Sequence, residues 1–474
     1  MSFKRSLGVP GVLFLTLSAT TPASSVFVIV PEMLHEAGSG ALVAMLLAAI
    51  VCVATAYVYA ELSSAFPVAG GEYVMVGRTL GPLAGFVMLA VNLVNNLLFP
   101  AVIGLGLSDV LSGILPGLPV IPTAVAMVAV STLAGVLHIR LNAWITGVFL
   151  VIELLALATI VMLGVAEPVR SLFTAPLTAV GAGLAPASPV SIGLATTAAI
   201  FALNGYGLAV YFGEEMHEAS ARIARVVLVA AALTIIVEVI PLAAAIAGAP
   251  YLHRLFTEAD PFGWFARTRG GDWVADALAV AVALAILNAA IAGILAYARF
   301  FYSTGRDAIW GKALDPWVTN IHPRLGSPWI ATLAVGAVSC AACFVPLRLL
   351  LVLSGAGIAV TYLGIALAAM VGRRTGATAH ADYCMPWFPI APLVTIAALL
   401  LVFWASWLDT DTGRPGLIAT AAQMALAAVY YLLVLRRRGE WVIFGGEAAS
   451  AGQPRGRAEQ GDESGRGAEL QPSP

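Results

Sequence analysis

Charge is scarce in this sequence. Asp, Glu, Lys and Arg make up 11% of its 474 residues, against about 25% in a soluble protein. That excludes a water-soluble globular enzyme and a disordered scaffold. Neither sign dominates: the formal net charge is −2, so there is no basic excess to hold nucleic acid. Cysteine is rare as well. Cys52, Cys340, Cys343 and Cys384 make no secreted disulfide pattern. Cys340 and Cys343 form a C-x-x-C inside the apolar run from Val338 to Phe344, where they read as small packing residues, not a redox or metal pair. No glycine-rich nucleotide loop is present, which argues against ATP-driven pumping. No Ser/His pair or metal-spaced carboxylate set points to an intramembrane enzyme, and the sequence calls for no cofactor and no metal.

What is abundant is apolar surface: 60% of the residues are hydrophobic and mean hydropathy is +0.93. A bilayer core about 30 Å thick needs about 20 apolar residues per helix. Twelve runs qualify, near 9–34, 41–66, 81–112, 119–137, 143–165, 190–212, 223–248, 273–303, 329–346, 349–371, 387–408 and 415–435. They are continuous and rich in Ala and Leu, without the period-two alternation of a barrel strand. The first is too long for a cleaved signal peptide. The expected class is therefore an all-α integral membrane protein with lipid as its solvent.

Orientation follows from Lys and Arg. With both termini placed in the cytoplasm, eighteen of the 24 basic residues fall on that side and six on the other. This implies a multi-pass protein of the cell membrane, with residues 1–8 a cytoplasmic N-terminus. Residues 439–474 turn polar and rich in Gly and Pro, and are expected to form a disordered cytoplasmic tail. The loop near 249–272 carries Arg254, Glu258, Asp260, Arg267 and Arg269; the sequence leaves open whether it holds a helix.

Two spans are interrupted. The first reads Thr20-Thr21-Pro22-Ala23-Ser24-Ser25 at mid-membrane depth, where Pro22 removes a backbone hydrogen bond and clashes with the preceding turn. The sixth carries Asn204-Gly205-Tyr206-Gly207 at similar depth. Broken backbone in lipid must be buried in protein or line a polar cavity. Each break opens a block of five spans, 9–165 in one case and 190–371 in the other, with residues 372–438 adding two more. An odd number of spans inverts the second block, and paired interrupted helices are the best sequence pointer to a transporter site.

Between spans two and three stands Glu61-Leu62-Ser63-Ser64-Ala65-Phe66-Pro67-Val68-Ala69-Gly70-Gly71-Glu72-Tyr73. It resembles the E-L-x-x-x-x-P-x-x-G-G-x-Y signature of the amino acid–polyamine–organocation (APC) family of permeases. Phe201 to Tyr206 with Glu214-Glu215 is similar to the family's sixth span. Asn288-Ala289, Arg299 and Gly305-Arg306-Asp307 resemble its eighth span and following loop. The resemblance covers about 9–435. It implies the LeuT-like five-plus-five inverted repeat, first half 9–165 and second half 166–371 with its loops, and alternating access around substrate held between the broken helices. It places Ala23-Ser24-Ser25 where relatives bind a substrate carboxylate through free N–H groups; Pro22 departs from that pattern. Phe201 falls at an aromatic gate, and Asn204, Gly205 and the following carbonyls face the substrate amine. Thr21, Tyr206 and Asn288 join the candidate site. Glu61, Pro67, Gly70, Gly71 and Tyr73 form the structural motif.

An ionisable residue at membrane depth is a functional candidate by default. Glu61 reads as an acceptor holding cytoplasmic loops. Glu238, three residues before Pro241, either bonds backbone freed by that proline or takes part in coupling. Glu153, midway along span five, stands where proton-driven and sodium-independent relatives can carry a lysine. A carboxylate out of water is costly to keep charged, the property a proton carrier needs; it can equally serve as an acceptor for the broken first helix. Val274 to Tyr302 holds neither Ser nor Thr, leaving a sodium site poorly furnished with hydroxyls. Asn92 and Asn96 share a helix face and either line the cavity or join helices.

Together these readings point to a secondary amino-acid transporter, proton-coupled or exchanging, for a neutral or small zwitterionic substrate. The first span's break and the core of the sixth lack a carboxylate, which disfavours selective polyamine or arginine transport. An amine or polyamine permease of the same fold is the alternative. A non-transporting amino-acid receptor is the competing class, and the short tail speaks against it. Partners are a small molecule and membrane lipid, with no nucleic acid; the sequence says nothing of oligomeric state.

Overall fold

The computed structural model describes residues 3, 5–112, 117–172, 176–180, 184–354, 356–439 and 441–444. Its main helices are α1 (Val9–Thr20), α2 (Val30–Ala37), α3 (Ala41–Ala65), α4 (Glu72–Leu80), α5 (Pro82–Ser112), α6 (Val120–Val136) and α7 (Ile139–Ala166). There follow α8 (Pro189–Ala202), α9 (Ala219–Gly248), α10 (Asp272–Arg306), α11 (Trp329–Ala342), α12 (Gly357–Thr375), α13 (Ile390–Leu408) and α14 (Gly413–Tyr430). Among the described residues nine helical segments are long and apolar enough to cross a bilayer, with α6 and α11 as two shorter apolar helices. One of the nine, Val9–Ala65, runs 57 residues and turns through Gly38–Gly40.

The surface confirms lipid as the solvent. Trp144, Leu155, Leu133 and Leu426 are all more than 60% exposed, an arrangement that water would penalise. Polar side chains point inward instead: Glu153, Glu238, Asn142, Asn288, Thr146 and Thr234 are fully buried.

Helix α1 lies at the centre, packed on α7, α9, α10 and the segment Tyr206–Glu215. Around it the contacts recur in pairs. The pair α1 with α9 is matched by α8 with α3, and α5 with α6 by α10 with α11. Likewise α5 with α11 is matched by α10 with α6, α7 with α10 by α12 with α5, and α7 with α9 by α12 with α3. Small residues allow the closest of these approaches. A Cβ on Gly164 of α7 would stand 2.2 Å from the Ala244 carbonyl oxygen of α9, so glycine lets the two backbones touch.

Two ends of the bundle differ. At the Arg-rich end, carboxylates meet guanidinium groups. Glu61 accepts from Arg373 Nε at 2.7 Å and Nη2 at 2.5 Å, and from Met385 N–H at 2.8 Å. Glu215 pairs with the fully buried Arg299 at 2.5 Å, and Glu214 pairs with Arg306. Tyr73 of the motif hydrogen-bonds Asp307 at 2.8 Å. The tail expected to be disordered from 439 needs one adjustment: Trp441 packs on Phe86 and Tyr431, and Phe444 N–H donates to Asp307. Residues from 445 onward lie outside the described ones.

At the opposite end the 249–272 loop holds two short helices, Leu252–Thr257 and Pro261–Gly270. Phe256, Phe262 and Phe265 are buried, and Phe262 meets Phe27 at a centroid distance of 5.4 Å. Beside them a two-stranded antiparallel ribbon pairs Thr178–Val180 with Leu184–Pro186. It is fastened to the Gly38–Gly40 turn by Thr178 N–H donating to Ser39 Oγ at 2.8 Å.

Candidate substrate site

The first break begins at Thr21, whose φ of 45° lies in the left-handed region, a costly place for a β-branched residue that marks local strain. Pro22 brings no N–H. The freed Ala23 N–H donates to Glu153 Oε1 of α7 at 2.8 Å, so a side chain from another helix replaces the missing helical acceptor. A π-helical stretch, Ser25–Ile29, follows.

The second break ends α8 at Ala202. Gly205 has φ of +115°, and a Cβ there would lie 2.8 Å from Thr20 Cα. Only glycine permits both the backbone angle and the approach, and through it the two breaks touch. Ser25 Oγ donates to the Ala202 carbonyl at 3.1 Å, a second link between them. Asn204 Oδ1 accepts the Gly205 N–H at 2.6 Å and the Tyr362 hydroxyl. Beyond it Tyr206–Glu215 winds as a ten-residue 3₁₀ helix, far longer than the usual three or four residues.

Both breaks open on one cavity of about 210 Å³, below the roughly 300–1,000 Å³ of pockets for drug-sized ligands and suited to a small molecule. Of the residues singled out in the sequence, Thr21, Ser24, Ser25, Asn92, Asn96, Phe201, Asn204 and Gly205 line it. Three do not. Ala23 turns its N–H to Glu153, away from the cavity. Tyr206 forms a layer behind it, stacked on Tyr362 and edge-on to Tyr59. Asn288 donates to the Thr146 carbonyl at 3.3 Å and ties α10 to α7.

Glu153 and Glu238 sit behind the first break, outside the cavity. Glu153 Oε2 and both Glu238 carboxylate oxygens have no hydrogen-bond partner among the described residues. The Thr21 hydroxyl is likewise without a partner, while that of Ser25 goes to the Ala202 carbonyl.

The cavity also contains what the sequence reading missed. Glu72 of α4 lines it together with Tyr59, Tyr211, Tyr297, Tyr362 and Thr361. Glu72 Oε1 accepts from the Tyr59 hydroxyl at 3.0 Å. Its Oε2 accepts from the Tyr211 hydroxyl at 2.8 Å and Asn92 Nδ2 at 3.2 Å. Thr361 Oγ1 in turn donates to Asn92 Oδ1 at 2.7 Å. Glu72 was visible as the variable position of G-G-x-Y, but its segment is too short and polar to read as membrane-embedded.

Residues 7–434 match the family model described as amino acid permease. The chain belongs to the amino acid permease family. A branched-chain amino acid permease, BcaP of Bacillus subtilis (strain 168), is 22% identical over 465 residues, covering 93% of this chain and 95% of its own. The uncharacterized transporter Rv1999c of Mycobacterium tuberculosis (strain ATCC 25618 / H37Rv) is 26% identical, covering 71% and 72%. The methylthioribose transporter of Bacillus subtilis (strain 168) is 22% identical, covering 79% and 83%. As a permease-family member with long apolar helices, the protein is a multi-pass membrane protein of amino acid transport, and its family points to a transporter, which is not an enzyme.

Proposed function

We propose that this permease is a secondary active transporter that carries a neutral or small zwitterionic amino acid across the cell membrane by alternating access, coupled to protons or by exchange. One observation carries the reading: the two helix breaks touch and open on a single small cavity. The Ser24 hydroxyl on its wall offers a donor for a carboxylate. The likeness to a branched-chain amino acid permease over most of both chains supports a zwitterion.

The frame we propose is the LeuT-like five-plus-five inverted repeat, twelve spans in all, with both termini cytoplasmic. The paired helix contacts support it, since the contacts paired above are images of one another under exchange of the two halves. Val9–Ala65 is about 85 Å long at 1.5 Å per residue, enough for two crossings of a bilayer core about 30 Å thick. In this reading Phe201 gates the cavity, Glu153 and Glu238 serve coupling, and Glu61 with Pro67, Gly70, Gly71 and Tyr73 forms the structural motif. The hydroxyl-free stretch Val274–Tyr302 favours protons over sodium.

A second reading, an amine or polyamine permease of the same frame, is favoured by one observation: Glu72 and four tyrosines stand on the cavity wall, an acidic group with aromatic faces that suit a cation. Counterflow into proteoliposomes tests both. Vesicles preloaded with a panel of unlabelled amino acids or amines are given the labelled counterpart. Accumulation of a zwitterionic amino acid is expected. Accumulation of amines alone would replace the first reading with the second, and no accumulation of either would overturn both.

A further inference from the structure

Glu72 is the one ionisable acid or base among the described residues lining the cavity, apart from the tyrosine hydroxyls. It is 4% exposed. Its three hydrogen-bond donors, Tyr59, Tyr211 and Asn92, are all neutral. A carboxylate offers about four acceptor sites, so Oε1 retains capacity beyond the Tyr59 bond. At the Arg-rich end buried carboxylates have guanidinium partners, as Glu61 has Arg373 and Glu215 has Arg299. Glu72 has hydrogen bonds but no counter-charge among the described residues, and a buried charge needs one.

The second break is a weaker receptor for a cation. Asn204 Oδ1 already accepts from Tyr362 and Gly205, and Tyr206 does not reach the cavity. The wall around Glu72 is instead built of rings, those of Tyr59, Tyr211 and Tyr297, whose faces attract cations. We infer that Glu72 recognises the positively charged nitrogen of the transported molecule, a primary ammonium group. This rests on reading the cavity as the substrate site. The ligand class is then a small molecule with an ammonium group on a compact body, whether or not it also carries a carboxylate.

Paired ligands that differ only at that nitrogen test the inference. The full-length protein in nanodiscs is titrated with L-leucine against L-2-hydroxy-4-methylpentanoate, and with 3-methylbutan-1-amine against 3-methylbutan-1-ol. The wild type should prefer the ammonium member of at least one pair by roughly tenfold to a hundredfold, the scale of one charged hydrogen bond. Glu72→Gln should abolish that preference, weakening the ammonium member far more than the hydroxyl member, and Glu72→Asp should restore part of it. A residue that merely ties helices together would lower both members equally. Preference retained in Glu72→Gln overturns the inference. So does a wild type that binds both members of each pair alike or neither, a result that needs no variant to fold. A preference within the amine pair alone, lost in Glu72→Gln, keeps Glu72 in this role and overturns the amino-acid reading instead.

Discussion

The buried carboxylates fall into two groups. At the Arg-rich end Glu61 and Glu215 each meet a guanidinium group. Near the helix breaks Glu72, Glu153 and Glu238 meet none among the described residues. Charge pairs that are complete lock helices together and gain little from any further ligand. Carboxylates left without a cation are poised to take a proton or a ligand cation. The same side chain thus serves structure at one end and, in our account, transport in the middle.

Breaking a complete pair should have the largest effect. Arg299→Ala strands Glu215 in a dry site, and removal of one partner of a buried pair costs about 3–5 kcal/mol. A marked fall in thermal stability and in folded yield is expected, read by the melting transition of the purified protein. Glu238→Gln is the opposite test. It removes an ionisable group that has no partner among the described residues, so the melting transition should hold or rise while the response of uptake to a proton gradient falls. Equal destabilisation by both substitutions would erase the distinction between the two groups.

Gly205→Ala probes the point where the breaks meet. The left-handed backbone and the 2.8 Å approach to Thr20 Cα cost about 1–3 kcal/mol as strain, and uptake should fall well before stability does. Tyr362→Phe removes one donor from Asn204 and should cost about 1 kcal/mol, visible as a small shift in apparent substrate affinity.

The smallest effect lies outside the membrane. Hydrogen bonds from the Thr412 hydroxyl and from the Asp411, Gly413 and Thr412 amides hold the Asp409 carboxyl down at about 2, from an ordinary 3.8. A depressed value means the turn is stabilised above the unfolded value of about 3.8 and loses that support as pH falls toward about 2. Protection of the Asp411 to Gly413 amides from exchange, relative to the intrinsic rate at each pH, should fall across that window, and Asp409→Asn should remove that loss.

Much of this was legible in the sequence because it is written in composition. Pro22 and Asn204-Gly205 stand out inside apolar runs, and Glu153 is a carboxylate where lipid or protein must surround it. The motif around Glu61 marked the family without any structure. Directions were harder to read. Ala23, Tyr206 and Asn288 belong to the right segments yet face a neighbouring helix, because the side that meets the cavity depends on partners far along the chain. Glu72 was hidden for another reason. It opens a nine-residue helix, α4, whose polarity suggests a loop, and only tertiary packing brings its carboxylate to Tyr59, Tyr211 and Asn92. The tyrosine wall likewise comes from separate elements: α3, α10, α12 and the 3₁₀ stretch.

The most direct test of the central claim is labelled amino-acid uptake into proteoliposomes under an inward proton gradient, an inward sodium gradient or neither, with wild type beside Glu153→Gln. The account predicts stimulation by the proton gradient in the wild type and none in the variant, with exchange across the membrane preserved in both. Stimulation by sodium, or proton-driven uptake that survives in Glu153→Gln, would contradict it.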